Sequence, residues 1–236
     1  MATLGATLGA MSRRANSASR CARCQMHMSL CVCALIPSLH TRTRVVLVAH
    51  HRELHKPTNS GRIATEALPN SGCIVRGRRG APDDALTWSP RTRPLLLFPH
   101  EGALPLASLA RIPDDDRPVT LIVPDGNWRQ ASKVRQRVAG LGNVPCVTLP
   151  TGEPSMYRLR AEAHRAGLST LEAIARALRI LEGDAGPDVE RALLAVFRAM
   201  VERTLWSRGS IGLSDVNDGV QPGTRRDLPC PPANAG

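Results

Sequence analysis

Four short apolar runs punctuate the middle of the chain. They are "RVVLVAH" at Arg44 to His50, "PLLLF" at Pro94 to Phe98, Val119 to Val123, and "PCVTL" at Pro145 to Leu149. Runs of this kind suit buried strands, and Cys73 to Val75 adds a shorter one. Helical signals lie between and after them. Thr58 or Asn59 caps a helix through Ile63, Ala64, Ala67 and Leu68, which Pro69-Asn70 ends. Leu104 to Arg111 reads as a short helix, and Asn127 to Ala139 as a longer one stopped by Gly140 and Gly142. Ser169 and Glu172 form an S-x-x-E capping box ahead of Leu171, Ile174, Leu178 and Leu181, with Gly183 at the end. Asp188 opens a last helix striped by Val189, Leu193, Val196, Phe197, Met200 and Val201. Strands alternating with helices predict an α/β fold, a mainly parallel sheet covered by helices on both faces. Ligands of such sheets bind at the carboxyl ends of strands, where Asp125 stands.

The 236 residues allow one sizeable α/β domain with a small appendage. Residues 1–20 are small and polar and read as a disordered tail; residues 21–40 hold a cysteine lobe; residues 41–206 form the main domain. Residues 207–236, rich in Gly, Asp, Asn and Pro, read as a second tail. No apolar run reaches the ~18–20 residues of a membrane span. The first residues lack the charged-then-apolar order of a secretory signal, which suggests a loose cytosolic tail. A net charge of +11 and a pI of about 10.5 favour a polyanionic partner, most commonly nucleic acid.

Cys21-x-x-Cys24 and Cys31-x-Cys33 are separated by six residues. Two such thiolate pairs close a tetrahedron around zinc. With all four positions filled, the metal is structural, and His27 is spare. Crowded cysteines of this kind do not form a secreted disulfide framework, and a reducing cytosol fits them. Cys73 and Cys146, in strand-like runs, are expected in the core.

The stretch "PDGNWRQASKV", Pro124 to Val134, is the most informative junction. Asp-Gly between apolar residues is a hairpin signal, but Trp128, Ala131, Val134 and Val138 follow at helical spacing. A strand-to-helix junction is therefore predicted, with Asp125 or Asn127 capping the helix. Arg129, Lys133 and Arg137 recur every four residues with no acid among them, which favours an anionic partner.

Together these segments resemble the DTW-domain family, whose members include tRNA-uridine aminocarboxypropyltransferases. The resemblance runs from Cys21 to Leu205. Besides the cysteines and the Asp-Gly-Asn-Trp junction, it is carried by "LVAHHRELHKPTNSGRIA" (Leu47 to Ala64), "PLLLFP" (Pro94 to Pro99), "MYRLR" (Met156 to Arg160) and "LSTLEA" (Leu168 to Ala173). This chain departs from the family pattern at three points: Asn127 replaces the signature threonine, Phe98 replaces a tyrosine, and His50-His51 replaces His-Pro. Asparagine caps a helix as threonine does.

The resemblance implies transfer of a 3-amino-3-carboxypropyl group from S-adenosylmethionine to N3 of a tRNA uridine, with methylthioadenosine leaving. Asp125 and Trp128 become the candidate catalytic residues. The carboxylate of Asp125 either accepts the N3 proton or orients the base, and the helix start after it favours its ionised form. The family is similar to the knotted SPOUT-type RNA modification enzymes. On that basis Thr58, Val123, Leu149, Leu168, Ser169 and Thr170 are the candidate co-substrate residues. Arg129, Lys133, Arg158 and Arg160 are the candidate RNA contacts, with Arg76, Arg78 and Arg79 a second basic loop. Arg158 and Arg160 would share one face of a strand. The implied partner is tRNA in the cytoplasm, with no membrane and no obligatory protein partner. Gly140-Leu141-Gly142 follows a helix and reads as a C-cap, which argues against a Rossmann cofactor loop. Two other readings stay open: a SPOUT-like methyltransferase using the same donor, and a zinc-containing RNA-binding protein without catalysis.

Overall fold

The computed structural model describes residues 20–78, 80, 85–159 and 167–217. Arg160 and Arg79, and most of both expected tails, lie outside the described residues. The core is a six-stranded sheet of β1 (Arg44–His50), β2 (Gly72–Arg76), β3 (Arg93–Leu97), β4 (Leu104–Pro105), β5 (Val119–Asp125) and β6 (Cys146–Thr148). The strand order is β2-β1-β5-β3-β6-β4, and every pairing is parallel. The central strand β5 is buried along its whole length, as a strand covered on both faces must be.

Alternation sorts the strand side chains into two cores. Val45, Leu47, Leu95, Leu97, Leu121 and Val123 face one side. There they meet α1 (Ser60–Ala67), α5 (Thr170–Leu181) and α6 (Gly186–Ser207). Val48, Leu96, Ile122 and Cys146 face the other side, against Val134, Val138, Leu141 and Val144. The expected stripe of α6 is buried throughout, and each fully buried side chain of that size contributes about 1.5–3 kcal/mol relative to exposure.

Several boundaries differ from the sequence reading. Leu104 and Pro105 pair with β6, and only Leu106–Ala110 is helical (α2). The last helix starts at Gly186 rather than Asp188, with Pro187 in its first turn. Asn127 to Ala139 is two one-turn helices, α3 (Trp128–Ala131) and α4 (Val134–Arg137). The cause is competition for carbonyls. Arg76 donates to the Gln130 carbonyl at 2.6 Å, the oxygen that Val134 N–H would take in a continuous helix. Ser132 Oγ likewise reaches the Arg129 carbonyl at 3.4 Å. α4 ends at Arg137 with Val138 extended as its C-cap; Gly140, two residues on, holds φ +89°, where a Cβ would sit 2.0 Å from the Leu86 carbonyl oxygen, so no larger residue fits. Cys146 is buried as expected, but Cys73 is exposed, because β2 is an edge strand. Tyr157 to Leu159 is loop and turn, so Arg158 is not on a strand.

The cysteine segment packs on this frame. Cys21, Cys24, Met26, Leu30, Val32 and Cys33 join the core that α6 helps to build. Arg203 of α6 donates to the Cys31 carbonyl, and Arg23 pairs with Glu66 of α1. After α6 the chain folds back, and Asn217 N–H donates to Glu202 Oε2 at 2.7 Å.

Candidate active site at the carboxyl edge of the sheet

Parallel strands leave one edge of the sheet to all the strand-to-helix loops, and a cavity of about 890 Å3 opens there. Its walls come from the ends of β3, β5 and β6 and from the start of α5. Leu97, Val123, Trp128, Leu149, Leu168 and Thr170 are among the lining residues. The size suits a nucleoside-sized ligand, and the lining is largely apolar with a few polar groups, as small-molecule sites usually are. Phe98 and Trp128 form a tilted pair with ring centroids 5.6 Å apart, both on the wall. Aromatic faces attract cations and stack on bases. Only six residues of this chain are Phe, Trp or Tyr, so two of them in one cavity is a large share. Arg129, Arg176 and Glu153 supply charge at the same cavity, with the Arg176 guanidinium donating to the Glu153 carbonyl.

Asp125 is placed differently. It ends β5 with its side chain on the face of α1 and α5, and it is 6% exposed. It does not line the cavity. Asn59 Nδ2 donates to its Oδ2 at 2.8 Å, and Thr170 Oγ1 donates to its Oδ1 at 2.7 Å. Asn59 is the N-cap of α1, and Thr170 is the first residue of α5. Two helix amino ends therefore meet at this carboxylate, and their partial positive charge favours an anion there. Gly61 makes the approach tight, since a Cβ on it would lie 3.2 Å from Asp125 Cγ and 3.1 Å from Thr170 Cγ2.

Of the six candidate co-substrate residues, Val123, Leu149, Leu168 and Thr170 line the cavity. Thr58 and Ser169 support it from behind. The Thr58 carbonyl accepts Tyr157 Oη at 2.6 Å. Ser169 Oγ accepts the Glu172 N–H at 3.3 Å, completing the capping box. Glu172 does more than cap. Only 2% exposed, its carboxylate also accepts Ser155 Oγ at 2.6 Å and Met156 N–H at 2.8 Å. It thereby ties the cavity loop before Tyr157 to the start of α5. Among the candidate RNA contacts, Arg129 is exposed and lines the cavity, Lys133 is half-buried and does not, and Arg158 is exposed in its turn. Asn127 caps α3 in a reciprocal box with Gln130, both bonds at 2.9 Å. Its side chain serves its own helix rather than the cavity.

Asn59, Phe98, Glu172 and Arg176 were not among the candidate site residues. Asn59 had a signal as one of two possible caps in the Thr-Asn-Ser-Gly-Arg segment, Phe98 as the position of a family tyrosine and Glu172 as half of a capping box, while Arg176 had none. On the other sheet face, His50 and His51 form a tilted pair with centroids 4.6 Å apart. Burial, then the neighbouring His51, Arg76 and Arg52, hold the His50 imidazole below its usual value.

The four N-terminal cysteines converge as their spacing predicts. Their sulfurs all lie within 4.8 Å of one another. Cys21 and Cys33 Sγ are 3.5 Å apart, and Cys24 and Cys31 Sγ are 3.8 Å apart. Thiolates ~2.3 Å from a tetrahedral zinc are about 3.8 Å from each other, so the donor set and spacing fit that ion. Hydrogen bonds from Cys24, then Cys33, hold the Cys31 thiol down at about 3, and the same bonding pushes Cys33 up. His27 is exposed and bonded to Ser29 Oγ at 2.7 Å, outside the cluster.

A DTW-domain family model matches residues 18–205. The chain is 28% identical over 200 residues to tRNA-uridine aminocarboxypropyltransferase 2 of Macaca fascicularis, covering 82% of this chain and 66% of that protein. The same figures hold for the protein of that name from Mus musculus. For the Drosophila melanogaster protein of that name, identity is 26% over 188 residues, covering 76% of this chain and 72% of the relative. The chain thus spans just under two thirds of the length of the first two. No solved structure matches it significantly. No helix among the described residues is long and apolar enough to cross a membrane.

Proposed function

Because the chain belongs to the DTW-domain family, we propose that it is a tRNA-uridine aminocarboxypropyltransferase that uses S-adenosylmethionine as donor and N3 of a tRNA uridine as acceptor. The observation that carries this reading is the convergence of the family's separate segments on one cavity. Gly126 and Trp128 of the Asp-Gly-Asn-Trp junction, Phe98 of the Pro94 to Pro99 segment, and Leu168 and Thr170 of the Leu-Ser-Thr segment are far apart in sequence and line the same cavity. The names of the curated relatives point to the same activity.

When bound, the donor supplies a carbon made electrophilic by its sulfonium: the N3–C bond forms, the C–S bond breaks with its electron pair going to sulfur, and the N3 proton passes to water. The residues of this chain would hold the two reactants. Val123, Leu149 and Leu168 give the donor an apolar seat, and Thr170 gives it a polar contact. Thr58 and Ser169 fix that seat from behind. Trp128, with Phe98, forms a wall that excludes water and presents ring faces to a cation or base. Asp125, behind the cavity, orients Thr170. N3 lies on the pairing edge of uracil, so the base must be out of a duplex to react. Arg129 at the rim, with Lys133 and Arg158 further out, would meet the phosphates of the RNA, Arg160 is proposed for the same role, and the charge of +11 supports such a partner. A structural Zn2+ on Cys21, Cys24, Cys31 and Cys33 would brace the N-terminal segment against α6. A SPOUT-like chain path is part of the proposal, supported by the all-parallel sheet. The cytoplasm is its expected compartment, where thiols stay reduced.

A labelling experiment tests the reading. S-adenosylmethionine labelled in the carboxypropyl chain, incubated with unmodified tRNA, is expected to leave label on RNA, and donor labelled in the methyl group is not. Label from the methyl group alone would assign a methyltransferase. Binding of tRNA with no transfer from either would assign a binding protein.

A further inference from the structure

We infer that Asp125 is a positioning residue, which Asn59 holds and which acts through the hydroxyl of Thr170. This rests on the proposed function in one respect only, that the cavity receives S-adenosylmethionine. The geometry separates Asp125 from any ligand. Its neighbours Val123, Pro124, Gly126 and Trp128 line the cavity, while its own side chain is buried behind them between α1 and α5. Thr170 is the link, since it lines the cavity and also donates to Asp125 Oδ1. A threonine hydroxyl has one proton, and here that proton is committed to the carboxylate. Thr170 Oγ1 therefore offers lone pairs alone to the cavity, and the ligand group it fits is a hydrogen-bond donor, such as the ammonium of an amino-acid tail.

Asn59 sets the other end of the relay. Its Oδ1 accepts the Arg62 N–H at 2.8 Å as the cap of α1, which leaves its Nδ2 to donate to Asp125 Oδ2. Nδ2 is further steadied by the Glu53 carbonyl at 3.2 Å. A carboxylate that receives protons from both sides fixes the polarity of both partners. An amide at position 125 would have to turn its NH2 toward either Asn59 or Thr170. Toward Asn59 it opposes a second NH2 group. Toward Thr170 it reverses the hydroxyl and aims a proton into the cavity.

The test exchanges the pair. Asp125→Asn and Asn59→Asp singly should each weaken S-adenosylmethionine binding at least tenfold by calorimetry and lower the melting temperature. Asp125→Asn should raise the donor KM more than it lowers kcat. In the double exchange, the amide at 125 donates to the carboxylate at 59 and accepts from Thr170, and the carboxylate at 59 still caps α1. The double variant should recover binding to within about threefold of the parent and melt above both single variants, though below the parent, because a carboxylate at 59 cannot donate to the Glu53 carbonyl. A double variant that melts above both single variants yet binds as weakly as Asp125→Asn overturns the inference, because the ligand then needs the charge at 125 itself. Single variants that bind like the parent overturn it too. Should the double variant fail to fold, Thr170→Val decides: weakened donor binding supports the relay, and unchanged binding refutes it. If the parent itself binds no S-adenosylmethionine, the donor reading falls. The melting temperatures of the four proteins then decide alone: recovery in the double variant supports the relay, and its absence overturns it.

Discussion

Asn127 stands where the family has threonine, and its side chain is committed to the backbone of α3. The substitution exchanges one capping oxygen for another at an exposed position. Asn127→Ala is expected to cost about 1 kcal/mol of stability. Asn127→Thr is expected to stay within about 0.5 kcal/mol of the parent, both measured by urea unfolding. A tenfold loss of transfer in the threonine variant would show that position 127 also touches substrate. A cap at this junction was legible, though the sequence left it between Asp125 and Asn127. The burial of Asp125 was not, because nothing in "PDGNW" tells which face of β5 its fifth-strand neighbours cover. That face is set by register, where Asp125 lies opposite Ala49, and by the arrival of Asn59 and Thr170 from residues 66 and 45 positions away.

At the level of elements, the start of α5 carries the most consequence. Its capping box was readable from Ser169 and Glu172, and it formed as read. The additional work of Glu172 needed the loop from Ser155 to Met156 to fold against it. Glu172→Ala would leave Ser155 Oγ and the N–H groups of Met156 and Ser169 without their acceptor, a loss on the order of 3 kcal/mol. Thermal unfolding should register it as a fall of roughly 6–12 °C for a domain of this size. Glu172→Gln, which keeps acceptor oxygen, should lose less. A variant melting within a degree of the parent would show that the loop does not depend on this carboxylate. The split of α3 from α4 was hidden for the opposite reason. Residues 127 to 139 have sound helical periodicity, yet Arg76, on a different strand, takes the Gln130 carbonyl. Periodicity reports what a helix would bury and is blind to a distant donor that competes for its hydrogen bonds.

For the whole molecule, the cysteine segment and the helical layer stand or fall together. Met26, Leu30 and Val32 share the core of Phe197 and Met200, so loosening the four thiolates exposes α6. Removal of zinc by a chelator is expected to lower Tm by more than about 10 °C or to abolish the cooperative transition. Metal analysis of the intact protein should find about one zinc per chain. A protein without metal that melts like the parent would refute the assignment. Spacing alone predicted this cluster, since four cysteines within 13 residues can reach one ion with little help from the rest of the fold.

The sequence by itself determined the α/β class, the strand cores, the capping box of α5 and the cysteine cluster, because each depends on residues near one another in the chain. Only the tertiary structure decided which side chains meet across the sheet. It placed Phe98 beside Trp128, put Thr58 and Ser169 behind the cavity wall, and gave Asp125 to Asn59 and Thr170. Those pairings follow from the order and register of six parallel strands and from the helices that cover them. Hydrogen bonds and packing between distant segments form only when the whole sheet is assembled, and no local pattern encodes them.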